Sequence, residues 1–257
     1  MLFRSSEVVF TSGGTEGINA AIKGVALACM ARGRHVVTTA IEHHAALHAC
    51  EWLAHLGIET TVLPVDTCGT VSPDDVRRAI RPDTTLVSVM FANNEIGTIQ
   101  PIAEIAAITQ RAGVPLHVDA VQAAGTLPID VHRLGIDLLT ISAHKFRGPK
   151  GVGVLTIRTG TPWLPLQSGG AQERNRRAGT ENVPGIVGLA TALRLADTTR
   201  AEANHHLATM RDAVIKRVLS TVPQSRLTGH PVHRLPNNAS FRSEEHTSEL
   251  QSHSDLV

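Results

Sequence analysis

The sequence predicts an α/β fold, a mostly parallel sheet with flanking helices. Three observations carry that expectation. Short apolar, β-branched runs alternate with longer segments of helical periodicity along the chain. The run Leu86-Val-Ser-Val-Met-Phe91 is nearly continuous in apolar residues, as a strand covered on both faces requires. Several runs also end in a polar residue, and in an open α/β sheet that end is where ligands sit.

Taken in order, Glu7-Val-Val-Phe-Thr-Ser12 is a strand that meets Gly13-Gly14-Thr15-Glu16, then a helical pattern through Ile18, Ala21, Ile22, Val25 and Met30. Strand, glycine pair and helix start aim free amide N–H groups and the positive end of the helix dipole at one point. The same residues also suit an ordinary turn with a Thr cap. His35-Val-Val-Thr-Thr39 is a second strand, ending at Glu42-His-His-Ala45, and the next helix carries Ala46, Leu47, Cys50, Leu53 and Leu56. Residues 57–64 form a third strand, and Ser72-Pro73-Asp74 opens a helix with proline at its first position. The strand 86–91 ends at Asn93-Asn-Glu-Ile-Gly97, and 101–111 is helical. Val114-Pro-Leu-His-Val118 ends at Asp119, with Gln122 three residues on. The strand from Asp137 to Ile141 ends at Ser142, His144 and Lys145. Gly151 to Ile157 then reads as an antiparallel strand at the sheet edge.

The 257 residues suit one large domain, with or without part of a second. Formal net charge is +1 and the basic residues do not cluster, so neither nucleic acid nor a membrane surface is expected as a partner. No apolar run is long enough to span a bilayer and no signal peptide opens the chain, which reads as cytoplasmic. The three cysteines, Cys29, Cys50 and Cys68, form no CxxC and read as incidental thiols. Fourteen histidines include the adjacent pairs His43-His44 and His205-His206, whose side chains diverge, and no metal site is expected.

Lys145 is the residue from which function is argued. Lysine is ordinarily a snorkelling surface residue, but beside a buried strand desolvation lowers its pKa toward a usable amine nucleophile. Thr15, His43, Asn94, Asp119 and the Ser142/His144/Lys145 group all fall at strand ends, and together they predict one polar pocket. Each alone could be a cap or turn former; their convergence is the signal. A phosphate seat, a buried carboxylate and a lysine meet the demands of pyridoxal phosphate (PLP): the lysine forms an imine, and a carboxylate, here Asp119, keeps the ring nitrogen protonated.

The run Ser142-Ala-His-Lys145-Phe-Arg-Gly-Pro-Lys-Gly151 resembles the Schiff-base lysine motif of class V PLP enzymes, and in particular that of NifS-like cysteine desulfurases. Phe10-Thr-Ser-Gly-Gly-Thr-Glu16, Glu42-His-His-Ala45, Asn93-Asn-Glu-Ile-Gly-Thr-Ile-Gln-Pro101, His117-Val-Asp-Ala-Val-Gln122, Gln172-Glu-Arg174 with Arg177-Ala-Gly-Thr-Glu-Asn182, and Arg234-Leu-Pro-Asn-Asn238 extend the resemblance in the family's order. It implies a PLP-dependent transferase large domain with the small domain mostly missing. Gly14, Thr15, Ser142 and His144 would hold the phosphate and His43 would stack on the ring. Asn94 would lie near the cofactor oxygen, Gln122 would bond the ring hydroxyl, and Lys145 would be the attachment lysine and general base. Thr180 would reach the phosphate of a partner subunit in a homodimer. The reaction implied is conversion of L-cysteine to L-alanine with sulfur passed to a cysteine and on to an acceptor or scaffold protein, for iron–sulfur clusters or tRNA thiolation.

The sequence departs from the family at Ala171, Asn175 and Ala178, where Gly, Gly and Ser are usual, and at Arg147, which replaces an aromatic. The expected division is a large domain over 1–200, the start of a small domain over 201–241, and a non-native tail over 242–257 that looks like translated sequencing adapter. Neither the family's nucleophilic cysteine loop nor its carboxylate-binding arginine is recognisable, so the chain as given is expected to be inactive. The rival readings are another class V enzyme (aminotransferase or selenocysteine lyase), a non-catalytic PLP-binding remnant, or a nucleotide-binding Rossmann module. The last lacks its G-x-G-x-x-G.

Overall fold

In the computed structural model, residues 4–243 are described. The strands of the main sheet are Val8–Thr11 (β1), His35–Thr39 (β2), Glu59–Leu63 (β3), Thr84–Met90 (β4), Leu116–Asp119 (β5), Leu138–Ser142 (β6) and Gly153–Ile157 (β7). The helices are Gly14–Ala28 (α1), His44–Leu53 (α2), Pro73–Ala79 (α3), Ile102–Ala112 (α4), Val131–Leu134 (α5), Gln172–Asn175 (α6) and Val183–Thr221 (α7), and a two-stranded ribbon joins Arg226–Leu227 (β8) to Phe241–Arg242 (β9).

The seven strands run in the order β1-β7-β6-β5-β4-β2-β3, with β3, β2, β4, β5 and β6 parallel. Strand β7 is antiparallel to β6, as its tight turn predicts, but it is not the edge. Strand β1 pairs antiparallel along its outer side, Val9 opposite Leu155, and takes the edge position.

The pleat sends alternate residues to opposite faces, and both faces are covered. On β6, Leu138 packs into the layer under α1 and α2 with Ile18, Ile22 and Leu53. Leu139 and Ile141 pack into the other layer, with Ile105 of α4 and Leu189 of α7. Polar residues inside the strands pair across the sheet: His117 bridges Ser88 Oγ at 2.8 Å and Thr140 Oγ1 at 3.0 Å. Burial presses its imidazole down to about 3, so it is a neutral strut.

Helix α3 starts as its sequence predicts, with Ser72 Oγ accepting from the Asp75 amide and Pro73 in the first turn. Helix α7 runs unbroken through residue 200, where a domain division was expected. Of the expected tail, Arg242 pairs with Arg226 in the ribbon, and residues 244–257 lie outside the described residues. Among the described residues no helix is long and apolar enough to cross a membrane, and no group of three His, Cys, Asp or Glu side chains could hold a metal ion.

Candidate active site

The strand ends bring nine of the ten expected site residues to one cavity of about 220 Å³: Gly14, Thr15, His43, Asn94, Asp119, Gln122, Ser142, His144 and Lys145. The tenth, Thr180, is exposed in the loop before α7 and outside this cavity. Sequence reasoning missed the apolar lining, Ile18, Met90, Ala92 and Val121. Ile18 lies on α1, where it also packs into the core, Met90 ends β4, and Ala92 and Val121 lie just past the ends of β4 and β5; nothing in their local pattern marked them.

Asp119 closes β5 and is buried. Its Oδ1 accepts from the Val121 amide at 2.9 Å. Burial raises its carboxyl to about 6, against the pull of that N–H and the Lys145 charge. It is therefore mostly ionised at neutral pH, and among the described residues no cationic group forms an ion pair with it, a state suited to accepting a bond from a protonated ring nitrogen.

At another wall, α1 presents its N-terminus with Gly14 and Thr15. Ser142 Oγ lies 3.0 Å from His144 Nδ1. Gly14 is required by close approach: a Cβ there would lie 2.8 Å from Val121 Cγ2. Amide N–H groups, two hydroxyls and an imidazole form a donor set for an oxyanion such as phosphate.

His43 caps α2, its Nδ1 accepting from the Ala45 amide at 3.0 Å. That bond needs an unprotonated Nδ1. Burial, then the charges of His44 and Lys145, hold the ring below the usual histidine range, in keeping with a neutral imidazole. Burial and the charges of Lys145 and Lys150 lower His144 in the same way.

Lys145 corrects one expectation. It is not buried beside the strand but exposed on a 3₁₀ turn, Ala143–Phe146, one step past β6. The 3₁₀ turn leaves the sheet at Ala143, two residues before the lysine, so its amine stands at the rim, shared with a groove of about 700 Å³ beside α7.

The loops that hold this rim are tied by motif residues. Asn93 is buried; its Oδ1 accepts from the Glu95 and Ile96 amides and its Nδ2 donates to the Ile41 carbonyl, fixing the turn that carries Asn94. Arg234, also buried, donates to Ile96 O and Asn238 Oδ1, while Asn238 donates to Glu95 O. At the other side, Arg177 Nε donates to Glu16 Oε1 at 2.9 Å and Glu173 Oε2 accepts from the Phe10 amide. Asn175, at a usual glycine position, has φ 63°, a left-handed conformation that asparagine tolerates better than most residues. Ala171, with φ −80°, needs no glycine.

These donors, the carboxylate, the amine and the space left by Gly14 fit PLP. The aminotransferase class-V family profile matches residues 3–254. A cysteine desulfurase IscS from Methanosarcina thermophila is 56% identical over 93% of this chain and 59% of its own length. A solved NifS-like protein superposes with a TM-score of 0.89 at 41% identity, covering 92% of this chain and 65% of that one. A structure described as SspA in complex with cysteine superposes with a TM-score of 0.80 at 33% identity, covering 98% of this chain and 71% of that one. The chain thus spans about 60% of the length of the curated relatives it matches. Class V aminotransferases, with the cysteine desulfurases among them, are PLP-dependent enzymes. With this fold, this cavity and this match, the chain belongs to the class V aminotransferase family.

Proposed function

We propose that the chain is the cofactor-binding part of a PLP-dependent cysteine desulfurase acting on L-cysteine. The observation that carries this reading is the meeting of Thr15, His43, Asp119, Gln122, Ser142, His144 and Lys145 around one cavity.

When bound, PLP supplies an electron sink for the carbanion that an amino acid forms on losing its α-proton. Asp119 would accept from the ring nitrogen and keep it protonated. Thr15, Ser142, His144 and the first amides of α1 hold the phosphate, and Gln122 and Asn94 bond oxygen atoms of the ring and substrate. His43, a neutral imidazole in the lining, would cover the ring. Lys145, at the cavity rim, would hold the cofactor through its Nζ, and the same amine is placed to take and return the substrate proton. Thr180, exposed in its loop, would serve the cavity of a second subunit in a homodimer. Sulfur would pass to an acceptor or scaffold protein, for iron–sulfur clusters or tRNA thiolation in the cytoplasm.

Borohydride reduction with PLP followed by peptide mass spectrometry is expected to place the pyridoxyl label on Lys145. A label on Lys23 or Lys150 instead would refute the assignment.

A second expectation concerns sulfur. Desulfuration needs an accessible thiolate over the cofactor, and among the described residues no thiol lines the cavity. Cys29 and Cys50 are buried, and burial pushes the Cys50 thiol up to about 12. Cys68 is half-buried in a turn against Thr98. The 257-residue chain is expected to change the PLP spectrum on adding L-cysteine but to release no sulfide above a Lys145→Ala control. Sulfide release lost on replacing Cys29, Cys50 or Cys68 would identify that thiol as the nucleophile.

A further inference from the structure

Glu42 lies between β2 and α2, one residue before His43, and has no part in the chemistry above. It is 6% exposed. Its Oε1 accepts from Thr39 Oγ1 at 2.7 Å and from the Met90 amide at 2.9 Å, while its Oε2 is buried without a partner. An ionised carboxylate asks for donors on both oxygens, so a buried, half-served one is costly.

Its surroundings oppose charge from each packed element. Asp119 on β5 acts on it as a like charge, and burial with that charge pushes its carboxyl up to about 8, against the bonds from Thr39 and Met90. From α2 the group facing it is Cys50, whose thiol it helps to raise. The adjacent His43 feels His44 and Lys145 instead.

We infer that Glu42 keeps its proton in the working protein and is a positioning residue of the site. As a neutral carboxylic acid it joins the end of β2 to the end of β4, holds His43 and Met90 at the cavity wall, and places no second negative charge behind Asp119, the one carboxyl group among the described lining residues. An ionised Glu42 would oppose ionisation of Asp119 through like-charge repulsion. The proton on Glu42 does not depend on the cofactor proposed above; its consequence for Asp119 rests on that reading.

The test uses the full chain. The infrared spectrum of the ligand-free protein at pH 7 is expected to show the carbonyl band of a protonated carboxylic acid, removed by Glu42→Gln and retained in Asp119→Asn. Its titration midpoint should fall in Asp119→Asn, because the like charge is gone. In PLP titrations Glu42→Ala, which loses two buried bonds, is expected to weaken binding about tenfold or more. Glu42→Gln, which keeps the accepting oxygen, should restore wild-type affinity and the wild-type pH dependence of the bound chromophore. No band at pH 7, or a Glu42→Gln variant with a shifted pH dependence, overturns the inference. If Glu42→Ala does not fold, the infrared and Glu42→Gln arms decide. If the wild-type chain binds no PLP, the proposed function fails while the infrared arm still decides this inference.

Discussion

Asp119→Asn is expected to make the ligand-free chain more stable at pH 7 while weakening its hold on PLP. The folded carboxyl titrates at about 6 against an ordinary 3.8, so folding favours its protonated form. That contribution is fully present below the unfolded value and is lost as pH rises through the folded one. At pH 7 the buried charge costs on the order of 2–3 kcal/mol. Asparagine keeps an oxygen to accept from the Val121 amide and carries no charge to bury. The melting temperature of the variant should therefore exceed wild type at pH 7, and the difference should close toward pH 4. On the proposed reading the same change would remove a charge-assisted bond to the ring nitrogen, with an expected loss of about 1.5–3 kcal/mol in PLP affinity. A variant less stable at pH 7, with unchanged PLP affinity, would show that Asp119 is a structural residue instead.

Leu139→Ala is expected to have the largest effect on stability. Leu139 is fully buried in the central part of β6, in the layer shared with α4 and α7. Strands β5 and β7 flank β6 and prevent the sheet from closing over the space left. A Leu-to-Ala change in such a core costs about 2–5 kcal/mol, a large fraction of the 5–15 kcal/mol typical of a folded domain. Urea unfolding should show a lower midpoint with an unchanged slope. A loss under about 1 kcal/mol would mean that this layer repacks freely. The site would feel the change, because β6 carries Ser142 and leads into the Lys145 turn.

Much of the site was legible because strand ends are legible. A run such as Leu86 to Phe91 has to be buried on both faces, and burial on both faces implies helices on either side. Once the strands are parallel, their carboxyl ends share one rim. That is why His43, Asp119 and Ser142, far apart in the chain, could be assigned to one pocket before any contact was known. Composition and local pattern also suffice to read the helix starts at Gly14, His44 and Pro73.

Sequence by itself thus determined the element order, the parallel sheet and the polar strand ends, because these rest on periodicity and on residues adjacent in the chain. Tertiary structure decided the rest. The edge position of β1 outside β7 depends on pairing across more than a hundred residues. The exposure of Lys145 follows from how far the turn after β6 carries it out of the sheet. The clamp of Arg234 and Asn238 on the Asn93–Gly97 turn, and the tie of Arg177 to Glu16, join segments that no local pattern relates. The protonation of Glu42 belongs here most clearly, since a carboxyl's charge is set by the donors, charges and burial around it, and the chain supplies these only when folded.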